Sequence, residues 1–305
     1  MSKTETDSAG PIMSAATQVA KAVSARALFA YFDAIDKPGT FKTAVKPPTE
    51  LILICRDEAQ LDQANDLDIK SMSVPAFDLT RMGQIKMATL LAFSQGLLKE
   101  GDAFVFLAGV AGKRIDTLVS MRVGEEYELF QSVGQPKLTE HIRRPVFEKV
   151  LTLCLELGSE GREGKPVGAI FVVGDHLDVQ KYCHEGRINP FKGYPEKERN
   201  ILDDSMRETV KELSKLDGAF VLKGNGAILS GGTTLQPAAS ADVTLQRLGA
   251  RHAAAAGITA STKSIAVTLS ESTGAVRVWR RGTMITEIER STRADPHTIA
   301  PPPST

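Results

Sequence analysis

The strongest constraint on the fold of this chain is a series of short, almost wholly apolar segments that alternate with segments of helical periodicity. "ELILICR" (50–56) and "DAFVFLAG" (102–109) are two such apolar runs, and "RMGQIKMATLLAFSQGLL" (81–98) between them is amphipathic. Continuous apolar runs of this length are typical of strands buried on both faces of a parallel sheet. The alternation therefore predicts a layered α/β domain in the first half of the chain.

The remaining elements of this first domain have weaker signals. Residues 15–35 read as one helix, and residues 70–75 and 117–124 read as strands. Residues 1–14 are polar and small, which is typical of disorder. Glycine, proline and charged residues gather at 130–145, so we place the first domain at residues 15–140.

The second half combines helices with hairpins, which predicts a mixed sheet flanked by helices. Helices are expected over 145–161, over 201–216 and after Gly249, and a strand over 165–175. Two hairpins are expected over 217–235, with the turn at 224–226, and over 264–285. The second domain thus covers residues 145–290, and the proline-rich tail 291–305 is expected to be disordered.

The bulk composition gives no support for several classes of partner. Lys and Arg total 37 and Asp and Glu total 37, so the net charge of zero gives no support for nucleic acid binding. No apolar run approaches the ~20 residues that span a bilayer, and the N-terminus lacks the apolar core of a signal peptide. The three cysteines have no paired spacing, which fits a reducing compartment. We expect a cytoplasmic protein without a membrane partner.

One candidate site lies in "LGARHAAAAGI" (248–258). Alanine has the highest helix propensity, so a helix is expected to begin after Gly249. The free N–H groups of a helix N-terminus bind phosphate, Arg251 offers a planar fork for phosphate oxygens, and His252 adds a donor. The alternative is a helix of small residues packed on a sheet, with Arg251 merely solvated.

A second candidate lies in "LDGAF" (216–220), where Asp217 stands between a helix and a strand beside two residues of minimal bulk. A carboxylate there can bind Mg²⁺ or Mn²⁺ when phosphates complete the coordination shell. The alternative is an ordinary Asp-Gly turn.

Together, Asp217-Gly218-Ala219 and Arg251-His252 resemble the paired motifs of the diadenylate cyclase (DAC) domain. "GREGKPVGAIFVVGD", "NPFKGYPEKERNILD" and "VTLSESTGAVRVWRRG" resemble the same domain in order and spacing, over about residues 145–290. The resemblance implies that two ATP condense to cyclic di-AMP and two pyrophosphates. It also implies a divalent metal, Mn or Mg, and a homo-oligomer in which two DAC domains meet face to face.

The resemblance also implies roles for individual residues. Asp217 would hold the metal and help to activate the 3′-hydroxyl, and Glu271 belongs to the second metal-side motif. Arg251 and His252 would act in catalysis by binding the triphosphate. The implied ATP-binding residues are Gly218, Ala219, Thr234, Leu235, Gly249, Arg251, His252 and Ser270.

Three positions depart from the family pattern. Ala250 precedes the Arg-His pair where threonine is common, and Ala253 stands where a second arginine commonly follows the histidine. Ser272 stands where a second acidic residue often follows Glu271. A catalytically weak nucleotide-binding regulator is therefore an alternative to the active enzyme. A DNA-associated scanning protein is a further alternative, which the balanced charge does not support.

The first domain resembles, less specifically, the C-terminal domain of pyruvate kinase, which one branch of the family joins to a DAC domain. We infer no kinase chemistry from this resemblance. Oligomerisation or binding of a regulatory ligand is the expected role.

Overall fold

A computed structural model describes residues 9–109, 115–125, 141–184, 188–236 and 249–291. Its strands form two separate sheets, one from each half of the chain, with helices packed on both. This is the predicted α/β class, with a layered first half and a mixed central sheet in the second. Within the described ranges no helix combines the length and the apolar character that crossing a membrane requires.

The first sheet has five strands in the order β3-β2-β1-β4-β5. The strands β1 to β4 run parallel, and β5 is antiparallel to β4. Every residue of β1 and β4 is buried, as the apolar runs predict. The strands are β1 (Ala27–Tyr31), β2 (Glu50–Cys55), β3 (Lys70–Ser73), β4 (Ala103–Gly109) and β5 (Ile115–Arg122), and the helices are α1 (Ala9–Ala22), α2 (Pro38–Ala44), α3 (Glu58–Asp66) and α4 (Arg81–Ser94).

The predicted helix over 15–35 is wrong in its second half. Helix α1 ends at Ala22, Ser24 adopts a left-handed φ of +51°, and β1 follows as the central strand. The apolar run 27–31 satisfies helical spacing by chance, and burial on both faces of the sheet decides its conformation. Helix α1 also includes residues 9–14, expected to be disordered, because Ile12 and Met13 pack on the sheet.

The second sheet has seven strands in the order β12-β11-β10-β6-β8-β9-β7. Only the pair β6 and β8 is parallel among the described pairs of this sheet. The strands are β6 (Ala169–Val173), β7 (Cys183–His184), β8 (Ala219–Leu222), β9 (Ile228–Leu235), β10 (Ile265–Leu269), β11 (Val276–Arg280) and β12 (Thr283–Ile288), and the helices are α5 (Arg144–Glu160), α6 (His176–Gln180), α7 (Met206–Leu213) and α8 (Ala250–Ser261).

Both predicted hairpins are present, as β8–β9 and β10–β11. The predicted helix over 201–216 is shorter, because side-chain oxygens of Asn200 and Asp203 bind the following backbone N–H groups and hold residues 201–205 in turns. The strand β12 was not predicted. The domain limit placed near residues 140–145 stays a prediction, since 126–140 and 292–305 lie outside the described residues.

A short backbone pairing joins the two halves of the chain. The N–H of Thr80 donates to the Glu289 carbonyl at 3.3 Å, and the N–H of Ser291 donates to the Asp78 carbonyl at 3.0 Å. Gly83 lies beside this pairing, where an added Cβ would be 2.4 Å from the Glu289 oxygen.

Candidate active site

A cleft opens where helix α8 begins beside the end of strand β10. Its volume is about 620 Å³. The stretches 217, 249–252 and 269–272 meet there although they are far apart in the chain. The lining residues are Pro166, Asp217, Gly249, Ala250, Arg251, His252, Leu269, Ser270, Glu271 and Ser272.

The charged centre of the cleft is Arg251, which lies between two carboxylates. Its Nη1 donates to Glu271 Oε2 at 3.1 Å, and its Nη2 is 3.8 Å from Asp217 Oδ1. The Arg251 side chain is one-third exposed, whereas Asp217 is fully exposed. The guanidinium offsets the repulsion between two acids that would otherwise face each other across the cleft. Both acids are free to exchange this partner for a cation.

Asp217 is held at the cleft edge by the close approach of two strands behind it. Gly218 has a φ of +114°, and an added Cβ there would be 2.5 Å from the Gly232 carbonyl carbon and 2.8 Å from the Thr233 nitrogen. Only glycine fits both the left-handed backbone and this separation. Gly218 therefore admits the backbone of β9, and its expected role in ATP binding stays a prediction.

Helix α8 presents its N-terminus to the cleft. Gly249 precedes the helix with a φ of +93°, and no side chain caps the first N–H groups. These groups and the dipole favour an anion at this end. The opposite face of the helix is buried through small residues, so the alternative of a small-residue helix packed on a sheet is also part of the structure.

The approach of Arg251 to β6 depends on Gly168. A Cβ added at Gly168 would be 2.5 Å from Arg251 Nη1 and 3.2 Å from Glu271 Cβ. The sequence reasoning did not select Gly168, and its place beside "VGAIFVV" gives no signal beyond that of an ordinary strand start.

The loop after β10 orders the second acidic residue. Ser270 is 6% exposed, its N–H donates to the Ala275 carbonyl at 2.9 Å, and its Oγ accepts from the Thr273 N–H at 3.4 Å. Ser272, at the position of the missing second acid, lies 3.3 Å from Ser270 through the two hydroxyl oxygens. Glu271 is therefore presented by a hydrogen-bonded turn.

Four of the predicted ATP-binding residues do not line this cleft as described, namely Gly218, Ala219, Thr234 and Leu235. Ala219 is 1% exposed and packs in the apolar layer under α8. Leu235 and Thr234 lie at the end of β9, where they pair with Cys183 and His184 of β7. A role for these four residues in binding ATP stays a prediction.

Arg277 lies behind this site and contacts one of its residues, and the sequence reasoning missed it. Its Nη1 lies 2.7 Å from His252 Nε2, and its Nη2 lies 2.5 Å from Glu287 Oε1 on the neighbouring strand. His252 is only 6% exposed, and its ring lies 6.0 Å from that of Trp279. The charged residues in the apolar strand "VRVWR" were a signal, but the alternation could not identify their partner.

The residues present fit a divalent metal only if the substrate completes its coordination. Asp217 and Glu271 supply carboxylate oxygens, the donors that Mg²⁺ and Mn²⁺ prefer. Among the described residues no group of three or more His, Cys, Asp or Glu could hold a metal ion. Mg²⁺ is commonly held by one or two carboxylates together with substrate phosphates, which matches this donor set.

Comparison with known proteins adds to this geometry. The DAC family model, described as DisA bacterial checkpoint controller nucleotide-binding, matches residues 156–284, and the model described as probable sensor domain DacZ_P matches residues 11–130. A diadenylate cyclase from Methanocaldococcus jannaschii is 33% identical over 240 residues, covering 75% of this chain and 74% of that protein. A diadenylate cyclase from Haloferax volcanii is 36% identical over 203 residues, covering 65% of this chain and 72% of that protein.

Among solved structures, a double mutant of DacA from Staphylococcus aureus is 22% identical with a TM-score of 0.34, covering 46% of this chain and 83% of that one. The family assignment rests on the two relatives and on the DAC family model, which covers the stretch that supplies the cleft. The chain belongs to the diadenylate cyclase family of nucleotidyltransferases.

Proposed function

We propose that this chain condenses two ATP molecules into cyclic di-AMP, with release of two pyrophosphates, in the cleft around Arg251. The names of the two relatives support this activity. The observation that carries the proposal is the meeting of Arg251, Asp217 and Glu271 at the N-terminus of α8.

The triphosphate of ATP lies at the N-terminus of α8 in this proposal. Arg251 exchanges its carboxylate partners for phosphate oxygens, and His252 and the free backbone N–H groups that follow Gly249 supply further donors. Ser270 also lines the cleft and would contact the same nucleotide.

A divalent cation, Mn²⁺ or Mg²⁺, would be held by Asp217 and Glu271 together with the phosphates. When bound, it neutralises charge on the phosphate oxygens as the transition state forms. Asp217 is well suited to this role, because its side chain is fully exposed at the cleft edge.

The chemistry consists of two equivalent displacements. In each, the 3′-hydroxyl of one ATP releases its proton to solvent as its oxygen forms a bond to the α-phosphorus of the other, and the bond from that phosphorus to pyrophosphate breaks. Asp217 helps to activate the hydroxyl, and Arg251 and His252 stabilise the negative charge that collects on the phosphate oxygens. The cleft orients the reacting atoms and supplies charge, and no covalent bond forms between the protein and the nucleotide.

Each cleft holds one ATP, whereas the product joins two. Two chains therefore meet with their clefts facing, each 3′-hydroxyl in line with the other's α-phosphate, and a two-fold axis is the simplest arrangement. The fully exposed Asp217 and the 42% exposed Leu216 beside it support a contact at this rim. The first domain serves oligomerisation or binds a regulatory ligand, and the protein works in the cytoplasm.

The activity is tested by incubating the chain with ATP and Mn²⁺ or Mg²⁺ and identifying the product by mass spectrometry. The wild type should yield cyclic di-AMP, and Asp217→Asn should yield none while keeping its fold. Asp204→Asn is a matched control, because Asp204 is an exposed carboxylate paired with Lys149 in the same half of the chain. ATP binding without any product would favour the regulator instead.

The face-to-face arrangement has its own test. Asp217→Asn and Arg251→Ala are mixed under conditions that allow subunit exchange. Each mixed pair assembles at most one partly competent centre, so linear intermediate should accumulate with little cyclic product. Full cyclic di-AMP synthesis by a chain that stays monomeric during turnover would contradict the arrangement.

A further inference from the structure

The contact between Arg277 and His252 lies behind the cleft rather than in it. Arg277 is 11% exposed by side chain and is not among the residues that line the cleft as described. Its guanidinium lies between two residues, with Nη1 2.7 Å from His252 Nε2 and Nη2 2.5 Å from Glu287 Oε1. Strands β11 and β12 hold this bridge, because Arg277 and Glu287 are directly paired in their register.

The chemistry of the two groups fixes the direction of the hydrogen bond. A guanidinium has five N–H donors and no acceptor, and it stays protonated in proteins. At 2.7 Å the imidazole Nε2 must therefore be the acceptor and carry no hydrogen. A neutral imidazole with a bare Nε2 carries its proton on Nδ1.

This tautomer determines what His252 offers to a ligand. Nδ1 is the ring atom on the side of Gly249, 4.0 Å from where a Cβ of that residue would be. Gly249 lines the cleft at the N-terminus of α8. A proton on Nδ1 makes this atom a hydrogen-bond donor, whereas the other tautomer would present a lone pair to phosphate oxygens.

We infer that Arg277 is a positioning residue that holds His252 as the neutral Nδ1–H tautomer, so that a donor rather than a lone pair stands on the side of Gly249. The role of His252 toward phosphate rests on the proposed function. The tautomer rests on the contact alone. Arg277 brings a second guanidinium next to His252 from strand β11, in a chain where Ala253 follows the histidine.

The charges around the ring favour the same state. Arg277 faces the ring from β11, Arg251 precedes it on α8, and Glu287 on β12 is occupied by Arg277. Protonating Nε2 would place an N–H against an N–H and a positive charge beside a guanidinium. The neutral imidazole with a bare Nε2 is therefore the state that these surroundings accommodate.

The tautomer is tested by NMR on the ligand-free protein labelled with ¹⁵N-histidine. The His252 signals are assigned by their loss in His252→Gln. Wild-type His252 should show a protonated Nδ1 and a bare Nε2 from about pH 8 to about pH 6. Arg277→Met should lose this pattern and titrate, Arg277→Lys should restore it in part, and Glu287→Gln should keep it. A protonated Nε2 in the wild type overturns the inference, whether or not any variant folds.

A second readout separates positioning from general support of the fold. Affinity for a non-hydrolysable ATP analogue should fall about tenfold in Arg277→Met, the lower end for a hydrogen bond to a charged group. Adding Arg277→Met to the His252→Gln variant should cause no further loss of affinity for the analogue, because Arg277 acts through His252. Additive losses would overturn the inference. Absence of cyclase activity with the Nδ1–H pattern intact would count against the proposed function only.

Discussion

Replacing Gly218 by alanine tests the strand contact that places Asp217 at the cleft. The added Cβ would be 2.5 Å from the Gly232 carbonyl carbon, 2.8 Å from the Thr233 nitrogen and 2.9 Å from the Gly232 oxygen. All three are backbone atoms of β9, so the overlap is not relieved by turning a side chain. The residue also has a φ of +114°, which alanine adopts only under strain.

Two contributions make up the expected loss of stability. Holding a non-glycine residue in a rarely populated backbone conformation costs about 1–3 kcal/mol. Forcing an extra carbon against packed atoms costs about 1–3 kcal/mol more. Gly218→Ala should therefore lower the free energy of unfolding by about 2–6 kcal/mol.

Gly193→Ala provides the matched control, because Gly193 has a φ of +90° with no described atom within 4 Å of its added Cβ. It carries the conformational strain without the overlap. Urea unfolding measures the free energy of unfolding of both variants. Gly218→Ala should lose about 1–3 kcal/mol more than Gly193→Ala. The folded fraction of Gly218→Ala should also make less cyclic di-AMP, because Asp217 is displaced. Equal stability of the two variants would show that β9 does not approach Gly218 as described.

Three further predictions concern binding, buried charge and thiol reactivity. Arg251→Ala should weaken ATP binding by about 1.5–3 kcal/mol and leave adenosine binding nearly unchanged in calorimetry, because the guanidinium holds phosphate; equal losses for both ligands would contradict this. Lys211→Met should lower the free energy of unfolding by about 1.5–3 kcal/mol. The reason is that the buried Lys211 ammonium donates to Glu156 Oε2 at 3.0 Å, and the Glu156 side chain is only 10% exposed. An unchanged urea midpoint would refute this prediction. Burial, followed by nearby carboxylates, raises the pKa of the Cys55 thiol to about 11. Near pH 8 a thiol reagent should therefore modify the half-buried Cys183 before the buried Cys55. Faster labelling of Cys55 would contradict its burial.

Much of the fold follows from local pattern. Apolar runs such as 50–56 and 102–109 became buried strands because their composition allows burial on both faces. The error at residues 15–35 has a physical cause: apolar spacing of three and four also occurs within a continuous apolar run. The conformation of β1 is decided by its position between β2 and β4, and this tertiary contact is not visible in the local sequence.

The candidate site shows the same division. Arg251, Asp217 and Glu271 were identified from their motifs, and the structure brings them together. Gly168 and Arg277 act through contacts with residues more than 20 positions away, which no local pattern reveals.

A crystal structure with Mn²⁺ and 3′-deoxy-ATP, which cannot cyclise, tests whether the metal and the nucleotide bind in the cleft around Arg251. We expect an anomalous Mn²⁺ peak between the Asp217 carboxylate and the phosphates, with the triphosphate at the start of α8 in contact with Arg251. A nucleotide bound elsewhere on the chain, or a triphosphate without contact to Arg251 and Asp217, would contradict it.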